Sequence, residues 1–324
     1  MKKIADVMRR FLVSNPVVIL AIGLTILGVF FVPGFGTVRN LLNVADQRAY
    51  IAIMTVGLTF VLICGGMDLS LANNACLTGM ISALLIVRMG LNGGLGITIA
   101  LALGILMGMV NGFFIARVGV DSFIMTLITE LFYSGIALVL SNSTSVTGLP
   151  KGYLAIAATK LFGIPASIFI MALFFIAGFV LLQLSTFGRK LYAVGTSPHT
   201  ANLSGISVTQ IKFLVFTISG FCASCAGILA TSRTAGALPS AGTSVMLDVI
   251  AGAVIGGCSL LGGKGNIFGS LMGVYILSII SNAIDLLGLS FNIMLFIKGM
   301  VIVFALLTAY LNERIDEKRM LAKT

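Results

Sequence analysis

Residues 95–116, LGITIALALGILMGMVNGFFIA, contain no charged side chain. At 1.5 Å per residue, a helix of that length reaches about 33 Å, enough to cross the hydrocarbon core of a bilayer. This run extends to 117, and nine other apolar runs repeat the pattern at 16–33, 46–64, 69–88, 122–141, 164–184, 211–231, 246–258, 266–287 and 291–311. The chain therefore reads as an all-α polytopic membrane protein of about ten transmembrane helices, a single domain over 1–324. The run 246–258 is too short to cross before Gly256-Gly257. Irregular backbone at membrane depth survives only where protein or water satisfies its polar groups, so 242–266 is expected to be a broken helix inside the molecule.

Composition points the same way. Of 324 residues, 58% are hydrophobic and 9% charged, against about 25% charged in soluble domains. A soluble enzyme, a disordered chain and a secreted disulfide scaffold are excluded. Five cysteines are an odd number, and Cys64, Cys222, Cys225 and Cys258 lie in apolar runs, so no disulfide framework is implied. The net charge of +10 fits orientation of the spans better than binding of nucleic acid. Thirteen basic residues fall on the side of the N-terminus: Lys2, Lys3, Arg9, Arg10, Arg117, Arg189, Lys190, Lys212, Lys264, Arg314, Lys318, Arg319 and Lys323. Six fall opposite (Arg39, Arg48, Arg88, Lys151, Lys160 and Arg233), and Lys298 lies within the last span. The positive-inside rule then places both termini in the cytoplasm, with 312–324 a cytoplasmic tail. Met1-Lys2-Lys3 and Arg9-Arg10 before Val17–Val32 look like a signal peptide. Pro33-Gly34-Phe35-Gly36 follows in place of a cleavage site, so the run is read as an uncleaved first span.

Two connections are long, 142–163 outside and 185–210 inside, and neither can house a catalytic domain. Residues 61–70 echo 252–261, and Asn111-Gly112 with Gly119 echoes Asn282-Ala283 with Gly288. Units offset by five spans would face opposite ways, an inverted repeat whose interface commonly carries the substrate path.

Each candidate site residue has two readings. Glu130, Asp248, Asp285 and Lys298 lie in apolar runs, where a charge costs about 2.5–3.5 kcal/mol on insertion scales. They form either a relay or structural pins, with Lys298 paired to Asp285 or Glu130. Asn111 and Asn282 suit either a hydroxylated solute or interhelical hydrogen bonds. Cys222-x-x-Cys225 has redox spacing but no base to activate a thiolate, and the lone His199 sits in a polar loop. Gly262-Gly263-Lys264-Gly265 is not a Walker loop, because Cys258 stands where the first glycine belongs and Gly265 follows the lysine. No metal, cofactor or nucleotide site is expected, so any ATP-driven motion would originate in another subunit. The 185–206 stretch reads as either a cytoplasmic helix near Thr200–Ile206 or an ordinary loop.

Taken together, these motifs resemble the membrane permeases of bacterial ABC sugar importers of the ribose, xylose and galactose class, from about Phe35 to Leu311. Gly65-Gly66-Met67-Asp68-Leu69-Ser70 is similar to that family's Gly-Gly-Ile-Asp-Leu-Ser. Thr186-Phe187-Gly188-Arg189, Ala193, Gly195 and Leu203-Ser204-Gly205-Ile206 resemble its coupling segment. Ala241-Gly242-Thr243, Leu247-Asp248, Ile255-Gly256-Gly257 and Leu261 to Gly265, followed by Asn282, Leu287-Gly288 and Lys298-Gly299, resemble its C-terminal signature. The resemblance implies a ten-span fold of the vitamin B12-permease type (type II importer-like) in the bacterial inner membrane. It further implies a dimer with an identical or paralogous permease, two cytoplasmic ATPases and an external sugar-binding protein. Thr186, Gly188, Arg189, Gly195, Leu203, Ser204, Gly205 and Ile206 would then couple to the ATPase. Asp68, Glu130, Asn111 and Asn282 are expected on the translocation path, and Gly65, Gly66, Gly256, Gly257, Asp285 and Lys298 in structural roles. Departures from the family pattern are Asp121-Ser122 for a proline, Asn73-Asn74 for a Gly-Ser-like pair, Glu130 for an apolar residue, Ser134 for a basic one and Met246 for Glu. They leave the solute open: a monosaccharide first, then autoinducer-2, a nucleoside or a branched-chain amino acid in the same machinery. An ion-coupled carrier is the remote alternative.

Overall fold

The computed structural model describes residues 16–290 and 292–301, together with 303 and 307. The basic residues assigned to 1–15 and the 312–324 tail lie outside the described residues. Thirteen helices follow in order among those described. They are α1 (Pro16–Phe31), α2 (Val38–Ile63), α3 (Leu71–Val87), α4 (Gly93–Phe113), α5 (Ser122–Ser141), α6 (Lys151–Ala158) and α7 (Ala166–Phe179). Then come α8 (Thr186–Thr196), α9 (Pro198–Leu203), α10 (Val208–Arg233), α11 (Ala241–Ile255), α12 (Ile267–Leu286) and α13 (Asn292–Val301). Helices α4 and α7 run on into π turns at Phe114–Val118 and Val180–Leu184. Two antiparallel strand pairs, Val146–Thr147 with Gly236–Ala237 and Lys160–Leu161 with Ile164–Pro165, complete the fold.

Six helices are long and apolar enough to cross a membrane: 38–63, 93–118, 122–141, 166–184, 208–233 and 267–286. The remaining apolar runs of the sequence coincide with four shorter apolar helices, α1, α3, α11 and α13. The all-α polytopic reading holds.

Helix α2 begins eight residues before the expected 46, capped by the Thr37 hydroxyl, which accepts from Asn40 N at 3.3 Å. Its polar first half does not break the helix, and three of its polar side chains, Asn40, Asp46 and Arg48, are paired. Asn40 and Asn282 exchange amide hydrogen bonds at 2.8 and 3.1 Å. Asp46 meets Arg233 and Ser167, and Arg48 meets Asp248. Asn282→Leu alone should destabilise the protein by about 1–3 kcal/mol, by stranding Asn40. Asn40→Leu added to it should restore most of the loss, as thermal unfolding in lipid would measure.

The core centres on α10, packed against α2, α3 and α4. Gly104, Gly108 and Gly112 repeat every fourth residue on α4 and lie against Ser224, Gly220 and Phe213 of α10. A methyl at Gly108 would stand 2.8 Å from Gly220 Cα, so the small-residue stripe lets the two backbones touch.

Between α2 and α3 the chain dips into the bundle. Asp68 ends beside Ser219, the twelfth residue of α10, about 16 Å along that helix. At the opposite end, 234–240 leads from α10 into α11, whose Gly242 lies against Ala72 and Asn73 in the first turn of α3. The expected broken helix at 242–266 is present: α11 runs to Ile255, breaks at Gly256 and is followed by a non-helical glycine loop. The 61–70 and 252–261 echo needs correction. Gly65 faces Gly262 and Gly263 N donates to Ile63 O at 2.9 Å, so the two stretches share one end of the bundle, where α2 and α11 both finish. Helices that run the same way are not related by inversion.

Candidate functional site

At that end the 185–206 stretch forms two helices rather than a loop. Ser185 caps α8, its hydroxyl accepting from Gly188 N at 3.2 Å. Leu191 and Val194 are fully buried, and Phe187 faces the Phe60 ring of α2 at 6.3 Å. Gly188 lies against the Leu182 carbonyl, and any side chain there would collide with it. Gly195 touches the Ile63 carbonyl, and a methyl would stand 2.7 Å from Gly263 N. The Tyr192 hydroxyl donates to Gly265 O at 2.6 Å. Partial burial raises the Tyr192 pKa above the ordinary phenol value, which keeps the donor protonated. Helix α8 is thereby fixed to the end of α2 and to the 256–265 loop, mainly through backbone.

The glycine loop is spent on this joint. Gly263 N is bonded to Ile63 O, and Gly262 approaches Gly65 and the Gly195 carbonyl. Gly256 packs on Gly269 and Ser270, Gly66 on Val61 and Phe216, while Gly257 is exposed. On the outer face, Thr186, Arg189, Ser204 and Gly205 are exposed, with Leu203 at 76% and Leu261 at 83%. Gly205 has φ +77°, and Ile206 N closes the α9 end on Ala201 O at 3.0 Å. Five of the coupling candidates are thus exposed, whereas Gly188 and Gly195 are packed into the joint.

The expected path residues sit elsewhere. Asp68 is 3% exposed; Ser70 Oγ and Ser219 Oγ each donate to it at 2.6 Å. Asn111 Nδ2 donates to Ser70 Oγ at 2.8 Å, and Asn111 Oδ1 is buried without a partner among the described residues. Together they tie the α2–α3 loop to α4 and α10. Asn282 is committed to Asn40, as above. Glu130 accepts from Asn73 Nδ2 at 2.9 Å, so two departures from the family pattern are partners of each other. A third, Asp121, caps α5 by accepting from Phe123 N and Ile124 N at 2.9 and 3.2 Å.

Two pairings expected from sequence are corrected. Lys298 binds Asp248, at 3.0 and 2.9 Å to its two oxygens, rather than Asp285 or Glu130. Asp285 is exposed in the last turn of α12 and forms no ion pair among the described residues.

Toward the other end, α2, α3, α10 and α11 line an open cavity of about 330 Å³ that sequence reasoning missed. Gln47, Arg48, Tyr50 and Arg233 supply its polar wall, with Met54 and Ala72 in the apolar part. The sequence reading uses Arg48 and Arg233 only as charges that orient the spans. Asp46 and Arg48 inside the apolar run 46–64 were the available signal.

An apolar helical bundle with an accessible cavity toward one end, and a helix pair fastened to the other, is suited to a membrane transport component. Residues 40–306 match the family described as branched-chain amino acid transport system / permease component, and the chain belongs to that family. It is 39% identical to the ribose import permease RbsC of Escherichia coli (strain K12) over 281 residues, covering 85% of this chain and 87% of that one. The ribose import permease of Haemophilus influenzae is 37% identical over 302 residues, covering 92% and 93%. The xylose transport permease XylH of E. coli K12 is 30% identical over 328 residues, covering 82% and 84%. No solved structure matches the chain. The protein is an ABC importer permease, and these relatives are transport permeases rather than enzymes.

Proposed function

We propose that this chain forms the translocation path for a monosaccharide delivered by an external binding protein, and that two separate cytoplasmic ATPases drive it through α8 and α9. The observation that carries this reading is the backbone joint of Gly188 and Gly195: a surface helix so fastened to α2 and the 256–265 loop transmits any push into the bundle. The pentose permeases among its relatives favour a sugar over autoinducer-2, a nucleoside or a branched-chain amino acid. The fold is a ten-span bundle of the vitamin B12-permease type in the bacterial inner membrane, with α8 and both termini cytoplasmic. Its inverted repeat relates α2–α3 to α10–α11, whose connecting loops enter from opposite ends. A second permease, identical or paralogous, completes the path. Asp68, Asn111, Asn282 and Glu130 serve that path from behind, by fixing the helices that line it. The external protein docks over the far end, where a polar groove of about 720 Å³ is lined by Arg39, Asn43 and Lys160.

The test is uptake by the reconstituted complex. Proteoliposomes holding permease, ATPases and loaded binding protein should accumulate ribose or xylose only with ATP. Arg189→Ala, exposed on α8, should lose most of that uptake while the permease stays folded. Accumulation by the permease alone, driven by an ion gradient, would make it a carrier instead.

A further inference from the structure

We infer that the cavity between α2, α3, α10 and α11 is a binding site for the carboxylate of a small monoanionic organic acid, with Arg233 as its principal donor and Arg48 as its second. This ligand is other than the sugar, and the inference does not depend on the importer reading. Arg233 makes no hydrogen bond among the described residues. Its Nη1 stands 3.7 Å from Asp46 Oδ2, beyond hydrogen-bonding reach, and the other oxygen of Asp46 accepts from the Ser167 hydroxyl. Arg233 Nε is buried and also lacks a partner among the described residues. A buried donor of a charged group is costly to leave unmade, and a ligand acceptor removes that cost.

The ion pairs beside the cavity leave one positive charge over. Arg48 and Lys298 share a single carboxylate, Asp248, and Arg233 has only Asp46, so three cations meet two anions. No carboxylate lines the wall, and Glu130, bonded to Asn73, stands outside it. One added negative charge balances the cluster, whereas a dianion overshoots. A carboxylate also fits the planar guanidinium fork, two oxygens against two N–H groups. The volume of about 330 Å³ lies at the small end of small-molecule sites, roughly 300–1,000 Å³. Met54, Ala72 and Val245 offer an apolar surface to a short carbon chain, and exposed Thr234 and Leu238 leave the site open to entry.

Cys76 lines the same wall and reports occupancy. The full chain in nanodiscs of neutral lipid would be treated with uncharged methyl methanethiosulfonate, with Cys76→Ser as the blank. Butyrate should slow modification of Cys76 severalfold, whereas butyramide and an equal concentration of chloride should not. Arg233→Gln should remove the protection. Asp46→Asn should lower the half-protecting butyrate concentration severalfold, because it withdraws a competing negative charge beside Arg233. This second variant keeps the test valid should the first fail to fold. No protection by butyrate, equal protection by butyramide or chloride, protection retained in Arg233→Gln, or a half-protecting concentration that Asp46→Asn leaves unchanged overturns the site. The assay holds neither sugar nor ATPase, so its failure is distinct from failure of ATP-driven uptake by the complete importer.

Discussion

Gly195→Val is expected to abolish ATP-driven uptake, by about 100-fold on the scale at which ångström misplacements act. A side chain at 195 collides with the Ile63 carbonyl and with Gly263 N, and both are backbone atoms that cannot swing aside. Relief requires α8 to lift from the end of α2, at an overpacking cost of about 1–3 kcal/mol. The bundle buries far more than α8 and should survive. The ATPases should then hydrolyse ATP without moving solute, so the ratio of solute carried to ATP consumed falls. Uptake and hydrolysis measured on the same proteoliposomes decide it: uptake within twofold of wild type would remove α8 from the transmission. Gly205→Ala offers a graded comparison. Space around Gly205 is open, and only its positive φ resists a side chain, so the cost should be nearer 1 kcal/mol.

Asp248→Ala should be the most destabilising single change at the other end. Asp248 receives both Lys298 and Arg48, with its side chain 11% exposed. Removing it strands two cations in a largely water-free setting, and breaking such a pair costs about 3–5 kcal/mol. Partial exposure of Arg48, at 22%, places the expected loss near the lower figure. Adding Lys298→Met should recover part of it, since one stranded charge is gone. Thermal unfolding of the three proteins in lipid tests this coupling. Losses that simply add would mean that Lys298 and Asp248 do not hold each other.

Apolar run length made the spans and the polytopic class legible, because membrane depth imposes a length that sequence must satisfy. The close packing of Gly188 and Gly195 was legible in part, because glycines in a charged stretch between two apolar runs mark places where backbones approach. The polar first half of α2 was not, because a residue such as Asn40 looks like a helix boundary until its partner 242 residues away is known. Lys298 likewise has three acidic candidates in sequence, and only packing selects Asp248. Asn73 and Glu130 each look like an isolated departure, yet one answers the other across 57 residues. The cavity escaped for the same reason: four helices contribute a few residues each, and no local pattern marks them.

Because the seat of α8 is made of peptide groups, apolar contacts and one phenol, it contains, among the described residues, no ion pair that dissolved electrolyte could weaken. The outward face of α8, with Arg189 and Lys190, has the opposite character. Raising ionic strength should therefore loosen the grip of a motor on this protein while leaving the lever itself stiff. Adaptation to a different motor can proceed by changing exposed residues alone, with the fulcrum untouched.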